Sequence, residues 1–317
     1  MSRRALPFYT IAAFADSPFA GNPAVVVFLD DHSIDDDTLK KIAANFNQPI
    51  TAFVYETPKN SPEDKLEIRW FTSSHVEVAL CGHGTLCAAR AVFERGLVAG
   101  EVVEFQTRKS GVVRAVKRGG KLEIRLPKST VTALEAGEKK DRIVQALRMA
   151  FKTDSLEAEF VGEGGVGFET YLLVELKLTE GKTLGDYEID GDALVSSVPR
   201  AFAVYSRQKR ETGYMVNVLT TPSNTPNALF FSRMFAPLVF APGSPEDHVC
   251  GSAHCLLAPY WAAKHTLGVT SEFAAKQVSK RGGHLDVSVL RQDEDSSKEV
   301  VSLKGETCII SSGEIYV

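Results

Sequence analysis

The sequence lacks the features of a protein that binds nucleic acid or spans a membrane. Its formal net charge is −4, and no cluster of Lys and Arg interleaved with aromatic residues stands out along its 317 residues. Without such a basic patch, nucleic acid is not an expected partner. No apolar run beyond the first 20 residues approaches the roughly 18 residues that a membrane span needs. The sequence therefore predicts neither a nucleic-acid nor a membrane partner.

The sequence also lacks an even set of cysteines and a credible secretory signal. Two arginines and an apolar stretch near the start imitate a signal peptide, but Pro7 and two hydroxyl-bearing residues interrupt the stretch. We interpret residues 9–14 as a strand, joined through a turn at Gly21-Asn22-Pro23 to a second strand at 24–29. Five cysteines without a signal argue against a disulfide framework. We therefore predict a soluble, cytoplasmic protein.

Two of the five cysteines begin similar stretches, half a chain length apart. Residues 81–90 are Cys-Gly-His-Gly-Thr-Leu-Cys-Ala-Ala-Arg, and residues 250–259 are Cys-Gly-Ser-Ala-His-Cys-Leu-Leu-Ala-Pro. An acid precedes each stretch, Glu77 in the first and Asp247 in the second. The other three cysteines lie among apolar residues and are expected to be ordinary buried thiols; they are Cys87, Cys255 and Cys308.

Each Cys-Gly stretch is predicted to begin a long apolar helix, at 82–95 and at 251–265. Two more helices are predicted at 35–46 and 138–151. Strands are expected at 9–14, 24–29, 51–55, 66–71, 102–105, 111–116, 121–126, 157–162, 170–176, 201–206, 228–234, 284–290, 299–303 and 307–317. The pattern begins again near residue 129, which indicates an internal duplication. We predict an α/β (α+β) chain with domains at 1–128 and 129–306.

A cysteine at the N-terminus of a helix is a candidate acid or base. Unpaired backbone N–H groups and the helix dipole stabilise its thiolate. The same N–H groups can hold a carboxylate or a developing oxyanion. We expect the two termini to face each other across a cleft, with Cys81 and Cys250 at near-neutral pKa on opposite faces of one α-carbon. One thiolate then removes a proton and the other thiol returns one, without a cofactor.

Other interpretations of the same residues stay open. A Cys-Gly pair at a helix start can be a small buried pair with no chemistry. A zinc site would draw on the cysteines and histidines of either stretch, but no C-x2-C knuckle is present, so no metal is predicted. A single Cys–His nucleophile, with His83 or His248 as its base, leaves the second stretch unexplained. The glycine-rich run at 162–167 precedes a strand, so it does not predict a nucleotide site.

Six stretches, spread nearly from end to end, match one known family. They are Phe19-Ala20-Gly21-Asn22-Pro23-Ala24-Val25-Val26, Thr51-Ala52-Phe53-Val54, Ile68-Arg69-Trp70-Phe71-Thr72, Cys81-Gly82-His83-Gly84-Thr85-Leu86, Ser232-Arg233-Met234-Phe235-Ala236-Pro237 and Glu246-Asp247-His248-Val249-Cys250-Gly251-Ser252-Ala253-His254. With them the chain resembles the phenazine biosynthesis PhzF-like family, within the diaminopimelate epimerase and proline racemase superfamily. The resemblance implies two pseudo-symmetric domains, each a curled mixed sheet or barrel around a central helix. It also implies a site in the cleft between them, a last strand at 307–317 that returns to the first domain, and a homodimer.

The sequence departs from this resemblance at residues that carry protons. The resemblance implies a pocket lined by His83 and Asp247, and a glutamate proton shuttle at the position of Ile50. Isoleucine carries no proton, so the usual mechanism of the family is in doubt. Cys250 stands where PhzF-like proteins commonly have threonine and where the epimerases and racemases have their second catalytic cysteine. Cys81 stands at the position of the first.

We therefore predict a cofactor-independent isomerase, a racemase or epimerase that inverts a carbon α to a carboxylate or carbonyl of a small molecule. The expected catalytic residues are Cys81, Cys250, Asp247 and His83. Expected contacts to the substrate come from Asn22, Gly82, Gly84, Thr85, Gly251 and Ser252. Two alternatives stay open. One is a double-bond isomerase or tautomerase of a biosynthetic pathway, with Asp247 or His83 as its shuttle. The other is a non-catalytic binding protein with a degraded site.

Overall fold

A computed structural model describes residues 4–56, 66–197, 214–240, 243–292, 295 and 297–317. This part of the chain contains four α-helices, at Asp36–Phe46 (α1), Gly82–Glu94 (α2), Glu138–Phe151 (α3) and Gly251–Lys264 (α4). Short 3₁₀ segments lie at Leu184–Asp186 and Gly191–Ser197. None of the helices within these ranges is long and apolar enough to cross a bilayer. The four helices fall within one or two residues of their predicted bounds.

The first eight strands form the sheet of the first half. They are Ala5–Ala13 (β1), Asn22–Leu29 (β2), Ile50–Tyr55 (β3), Leu66–Phe71 (β4), Glu77–Val78 (β5), Val102–Thr107 (β6), Val112–Arg118 (β7) and Lys121–Pro127 (β8). β2 and β3 pair in parallel, as do β4 and β6, and the remaining neighbours pair antiparallel. Parallel neighbours need a crossover connection. α1 lies between β2 and β3, and α2 lies between β4 and β6.

All but the last of the ten remaining strands form the sheet of the second half, and the last strand pairs with the first strand of the chain. The ten strands are Val131–Ala133 (β9), Glu157–Gly164 (β10), Tyr171–Lys177 (β11), Val216–Pro222 (β12), Phe230–Phe235 (β13), Glu246–Asp247 (β14), Glu272–Gln277 (β15), Gly283–Arg291 (β16), Glu299–Gly305 (β17) and Thr307–Tyr316 (β18). β11 and β12 pair in parallel, as do β13 and β15, with antiparallel neighbours around them. This order of parallel and antiparallel pairs repeats that of the first half.

The repeated pairing order confirms the predicted fold class of two similar α+β halves, each built around one helix. α2 and α4 both lie in a single apolar core that the two halves share. α1 and α3 cover smaller cores on other faces of the sheets. A hydrogen-bonded ladder between β8 and β17 joins the halves, and the last strand, β18, pairs with β1 of the first half. The division of the chain at residue 128 stays a prediction.

Several local predictions differ from the structure. Asn22 and Pro23 belong to β2, since they pair with Ala13 and Ala12, so the turn of the first hairpin ends at Gly21. Cys308 is only partly buried because it lies on β18, whose outer positions are exposed, whereas Cys87 and Cys255 are buried as predicted. The sequence reasoning missed strands β5, β9, β12, β14 and β15. The predicted strand at 201–206 lies outside the described residues.

Candidate functional site

The N-termini of α2 and α4 meet where the two halves join. A Cβ placed on Gly82 would lie 3.6 Å from the Cα of Gly251, and a Cβ placed on Gly251 would lie 3.5 Å from the Cα of Gly82. Side chains from both halves surround this contact, including Leu126 of β8 and Leu303 of β17. Cys81 and Cys250 are the residues just before these glycines and act as the N-caps of the two helices. The fold therefore brings the two Cys-Gly steps together.

Cys81 is held by the first turn of its own helix. Its Sγ accepts a hydrogen bond from the Gly84 N–H at 3.4 Å and lies 3.5 Å from Nδ1 of His83. The hydroxyl of Thr85 donates to the Cys81 carbonyl at 2.6 Å, which fixes the backbone of the cap. Gly84 and Thr85, both predicted to contact the substrate, thus position the thiol through hydrogen bonds of their own.

Cys250 is held by residues from three elements of the second half. The Cys250 N–H donates to Oε1 of Gln277 at 2.9 Å, and Nε2 of Gln277 donates to the Asp247 carbonyl at 2.6 Å. Its Sγ lies 3.3 Å from Oγ of Ser252, which accepts a hydrogen bond from the Tyr171 hydroxyl at 3.0 Å. Because Tyr171 donates to Ser252, the Ser252 proton is free to point at the thiol.

Asn22 connects the residues around Cys81 with those around Cys250. Its Nδ2 donates to Oδ1 of Asp247 at 2.7 Å and to the Val249 carbonyl at 2.8 Å, and it lies 3.2 Å from Nδ1 of His83. Asp247 and Cys250 are close enough for each to shift the pKa of the other. His83, Asn22 and Asp247 therefore form a run of neighbouring polar side chains between Cys81 and Cys250.

Two polar atoms of these site residues have no hydrogen-bond partner among the described residues. They are Oδ1 of Asn22 and Nε2 of His83, both fully buried. Both hydrogens of the Asn22 amide are donated to Asp247 and Val249, so the donor that faces Nδ1 of His83 is the Cys81 thiol, and the proton of the neutral ring belongs on Nε2. Buried polar groups are nearly always hydrogen-bonded in folded proteins. One acceptor and one donor are thus left for a bound molecule.

Burial dominates the protonation of the thiols. It raises the pKa of Cys81 to about 12, although the Gly84 N–H offsets part of the effect, and the nearby Asp247 raises it further. Burial, together with the charge of Asp247, holds the pKa of Cys250 well above its usual range. The expectation of near-neutral thiols was wrong, because the cost of placing a thiolate away from water exceeds the gain from the helix N-terminus. Both thiols are protonated in the free protein.

Asp247 and His83 are the titratable groups beside these thiols. Burial raises the pKa of Asp247 to about 6, against the opposing hydrogen bond from Asn22. Burial lowers the pKa of His83 to about 3, so its ring is neutral at physiological pH and is a weak base while the site is empty. Buried groups with perturbed pKa values that lie together are typical of functional sites. Each thiol therefore has one titratable group with a perturbed pKa beside it.

Glu77, the acid that precedes the first Cys-Gly stretch, does not belong to this arrangement. It makes a two-pronged ion pair with Arg69, at 2.8 and 3.0 Å. Glu246 makes the same ion pair with Arg233, at 2.6 and 2.8 Å. The structural counterpart of Glu77 is therefore Glu246, and Asp247 has no acidic counterpart in the first half.

Sequence reasoning placed Ile50 in the site but missed three other residues. A Cβ placed on Gly84 would meet Cδ1 of Trp70 at 2.8 Å, Cγ2 of Ile50 at 3.1 Å and Sγ of Cys81 at 3.2 Å. Trp70, Tyr171 and Gln277 reach the site from β4, β11 and the end of β15. Strand pairing places them there. Trp70 stands in one of the stretches that match the family, but no motif marks Tyr171 or Gln277. Within the described ranges no three His, Cys, Asp or Glu side chains are grouped as metal ligands would be.

Comparison with known proteins identifies the family. The family model described as phenazine biosynthesis-like protein, PhzC-PhzF, matches residues 11–313. This chain belongs to the phenazine biosynthesis-like family. It is 35% identical over 316 residues to an uncharacterized isomerase of Pseudomonas aeruginosa, and the match covers 98% of each chain.

Solved structures agree with this family, and more distant ones share its fold. A phenazine biosynthesis protein of the PhzF family from Enterococcus faecalis is 26% identical, with a TM-score of 0.75 over 99% of this chain and 100% of its own. A probable proline racemase from Agrobacterium radiobacter has a TM-score of 0.59 at 14% identity, covering 98% of this chain and 92% of its own, and shares the fold. The predicted family is confirmed, and so is the predicted enzyme class: the chain is an isomerase.

Proposed function

We propose that this family member is a cofactor-independent isomerase that inverts a carbon α to a carboxylate or carbonyl of a small molecule. Cys81 and Cys250 are its acid and base. The observation that carries the proposal is the run of neighbouring polar side chains, His83, Asn22 and Asp247, that lies between the two cysteines. A two-base reaction needs two proton-carrying groups near one carbon, and each must be able to regain its starting state.

The raised pKa values of the thiols suit this chemistry when a neighbour takes the proton. An α-proton is weakly acidic, so its removal needs a strong base. A thiolate formed from a thiol of high pKa is a stronger base than one formed from a thiol of ordinary pKa. Such a thiolate forms only when its proton has somewhere to go. Asp247, with a pKa of about 6, is the group beside Cys250 that holds its proton. His83 is a weak base in the empty site, and the negative charge of a bound carboxylate favours its protonated form, in which it holds the Cys81 proton. The N–H groups of Gly82 and Gly251, at the first turns of α2 and α4, face the developing oxyanion.

The site is closed to solvent in this structure. Cys81 is 9% exposed, His83 and Asp247 are each 7% exposed, and Cys250 is 4% exposed. A closed site strengthens each electrostatic contact and keeps bulk water from the carbanion. The substrate therefore enters through a movement of the residues that cover the junction of the halves.

A second candidate function rests on Asp247. As a buried acid that titrates near neutral pH, it can act as a single shuttle that moves a proton between two carbons, in a double-bond isomerisation or tautomerisation. Ile50 leaves no carboxylate at the position where the PhzF-like resemblance expects the shuttle. A non-catalytic binding protein is the third candidate, and the run of polar side chains between the cysteines counts against it.

Deuterium uptake distinguishes the candidates. The protein is incubated in D2O with a panel of amino acids, hydroxy acids and unsaturated carboxylates, and the products are analysed by NMR. Inversion by two thiols places deuterium on the inverted α-carbon, whereas double-bond isomerisation places it on a different carbon. Cys81→Ser and Cys250→Ser each abolish inversion under the proposal, while Cys308→Ser, outside the site, keeps it. Full activity in both of the first two variants, with loss in Asp247→Asn, would support the single shuttle instead.

The homodimer and the cytoplasmic location stay predictions of the resemblance and of the composition. The substrate class proposed here follows from the chemistry of the site alone. It comprises small molecules with a carboxylate or carbonyl next to an acidic C–H bond.

A further inference from the structure

Trp70 packs against Gly84, the residue that also borders the thiol of Cys81. It is fully buried on β4, on the face that Ile68 also presents to the shared core. The missing side chain of Gly84 makes room for its ring, because a Cβ there would lie 2.8 Å from Cδ1 of Trp70 and 3.2 Å from Sγ of Cys81. Cδ1 is bonded to Nε1 in the indole, so the edge of the ring that carries the N–H lies at Gly84, whose own N–H donates to the Cys81 thiol.

The indole N–H of Trp70 has no hydrogen-bond partner among the described residues, although it is fully buried. The other tryptophan, Trp261, is equally buried, and its N–H donates to Oγ1 of Thr220 at 3.0 Å. An indole nitrogen can only donate, and leaving a buried donor without an acceptor carries a free-energy cost. Ile50, the neighbour of Trp70 at Gly84, offers no acceptor. The protein keeps an open donor beside Cys81.

The second half of the site has an acid at the position where the first half has an apolar residue, and it has no indole at the position of Trp70. In the first half Trp70 pairs across the ladder with Val78, and in the second half Met234 pairs with Asp247. The two pairs occupy matching positions of the duplicated fold. The first half thus has a donor and no acid, and the second half has an acid and no indole donor.

We infer that the Trp70 N–H binds the substrate by donating a hydrogen bond to its carboxylate or carbonyl oxygen on the Cys81 side of the site. This assignment rests on the proposed function. It fixes the orientation of the substrate, since Asp247 on the other side accepts from a donor such as an amine or a hydroxyl. The substrate is then an amino or hydroxy acid, or a closely related carbonyl compound, with its acceptor oxygen toward Trp70 and its donor group toward Asp247.

The two tryptophans supply their own control for a test by NMR. The ¹⁵N-labelled full chain gives two indole signals, which Trp70→Phe assigns by removing one. Oxalate, pyruvate, and both enantiomers of alanine and of lactate are titrated in turn. We expect the Trp70 indole signal to shift saturably, together with the amides of Gly82 and Gly251, while the Trp261 signal stays in place. Trp70→Phe keeps the ring packing and should weaken binding of the same molecule by about 10- to 100-fold, as expected for a lost hydrogen bond to a charged group.

The outcomes separate this inference from the proposed function. If a carboxylate shifts the Gly82 and Gly251 amides but leaves the Trp70 indole signal unchanged, the inference is overturned and the proposed site stands. Equal affinity in Trp70→Phe and in the unmodified protein overturns it as well, because the open donor then holds only a buried water. If no molecule of the panel shifts any of these signals, both the inference and the proposed carboxylate site fail.

Discussion

The side-chain amide of Asn22 donates a hydrogen bond to Oδ1 of Asp247 at 2.7 Å, across the boundary between the two halves. The same nitrogen donates to the Val249 carbonyl and lies 3.2 Å from Nδ1 of His83. One amide therefore sets the relative positions of the two groups proposed to serve the thiols. Its contacts depend on strand β2 and on the segment before α4, which meet only in the folded chain.

Replacing this amide should destabilise the protein strongly. Asn22→Asp keeps the shape but sets a second carboxylate against Asp247 and against the Val249 carbonyl, so two acceptors lose their donor and two like charges meet. We expect a loss of about 3 kcal/mol in the free energy of unfolding at pH 8, and a smaller loss at pH 5, where carboxyls protonate. Urea denaturation at the two pH values measures this.

The control for this prediction is Asn45→Asp, which makes the same change at an exposed position of α1. A surface substitution of this kind should stay within about 0.5 kcal/mol of the unmodified protein. If the two variants lose the same stability, Asn22 does not have the bridging role assigned to it.

The raised pKa of Asp247 predicts how stability depends on pH. Burial raises this pKa from 3.8 to about 6, so the folded protein binds a proton more tightly than the unfolded chain does. The stabilisation from that proton is complete below pH 4 and is lost as the pH rises through 6. Asp247→Asn has no proton to lose. The free energy of unfolding of the unmodified protein, relative to this variant, should therefore fall by about 3 kcal/mol between pH 4 and pH 8.

Urea denaturation of the two proteins at several pH values measures that difference. Subtracting the variant removes the titration of groups that the two proteins share. A difference that is flat, or that rises with pH, would mean that Asp247 is not held in a site that disfavours its charge.

Gly84 is predicted to tolerate no side chain. In Gly84→Ala the new Cβ would press on Trp70, Ile50 and the Cys81 thiol, at 2.8, 3.1 and 3.2 Å. Alanine favours a helix by up to about 1 kcal/mol over glycine, but overpacking of a core costs about 1–3 kcal/mol. We expect net destabilisation in thermal denaturation and a large loss of deuterium uptake. Gly100→Ala is the matched control, since no atom lies within 4 Å of its Cβ position; equal behaviour of the two variants would refute the packing account.

Much of the fold followed from patterns that the sequence carries locally. The predicted helix at 138–151 matches α3 at both ends, and both Cys-Gly helices begin at the predicted residue. Apolar periodicity and a cap residue are contained within one element, so they can be seen without the rest of the chain. Strand β12 was missed because buried polar residues interrupt its pattern, with Asn217 and Thr220 bonded to carbonyls of β13.

Individual site residues could be predicted from the sequence, but their arrangement around one another could not. Motifs alone suggested that Glu77 and Asp247 were equivalent acids, and the strand register makes Glu77 the counterpart of Glu246 instead. The pKa prediction for the thiols failed for a related reason. The helix N-terminus is visible in the sequence, whereas the burial that outweighs it depends on how both halves close over the site.

The central claim is that Cys81 and Cys250 act on opposite faces of one α-carbon. The most direct test follows α-proton exchange in D2O for each enantiomer of the substrate separately, in Cys81→Ser and in Cys250→Ser. With one thiol left, only the enantiomer whose proton faces that thiol can exchange, and it does so without inversion. We predict opposite enantiomer preferences in the two variants, with inversion kept in Cys308→Ser. Continued inversion in both single variants, or the same preference in both, would contradict the account.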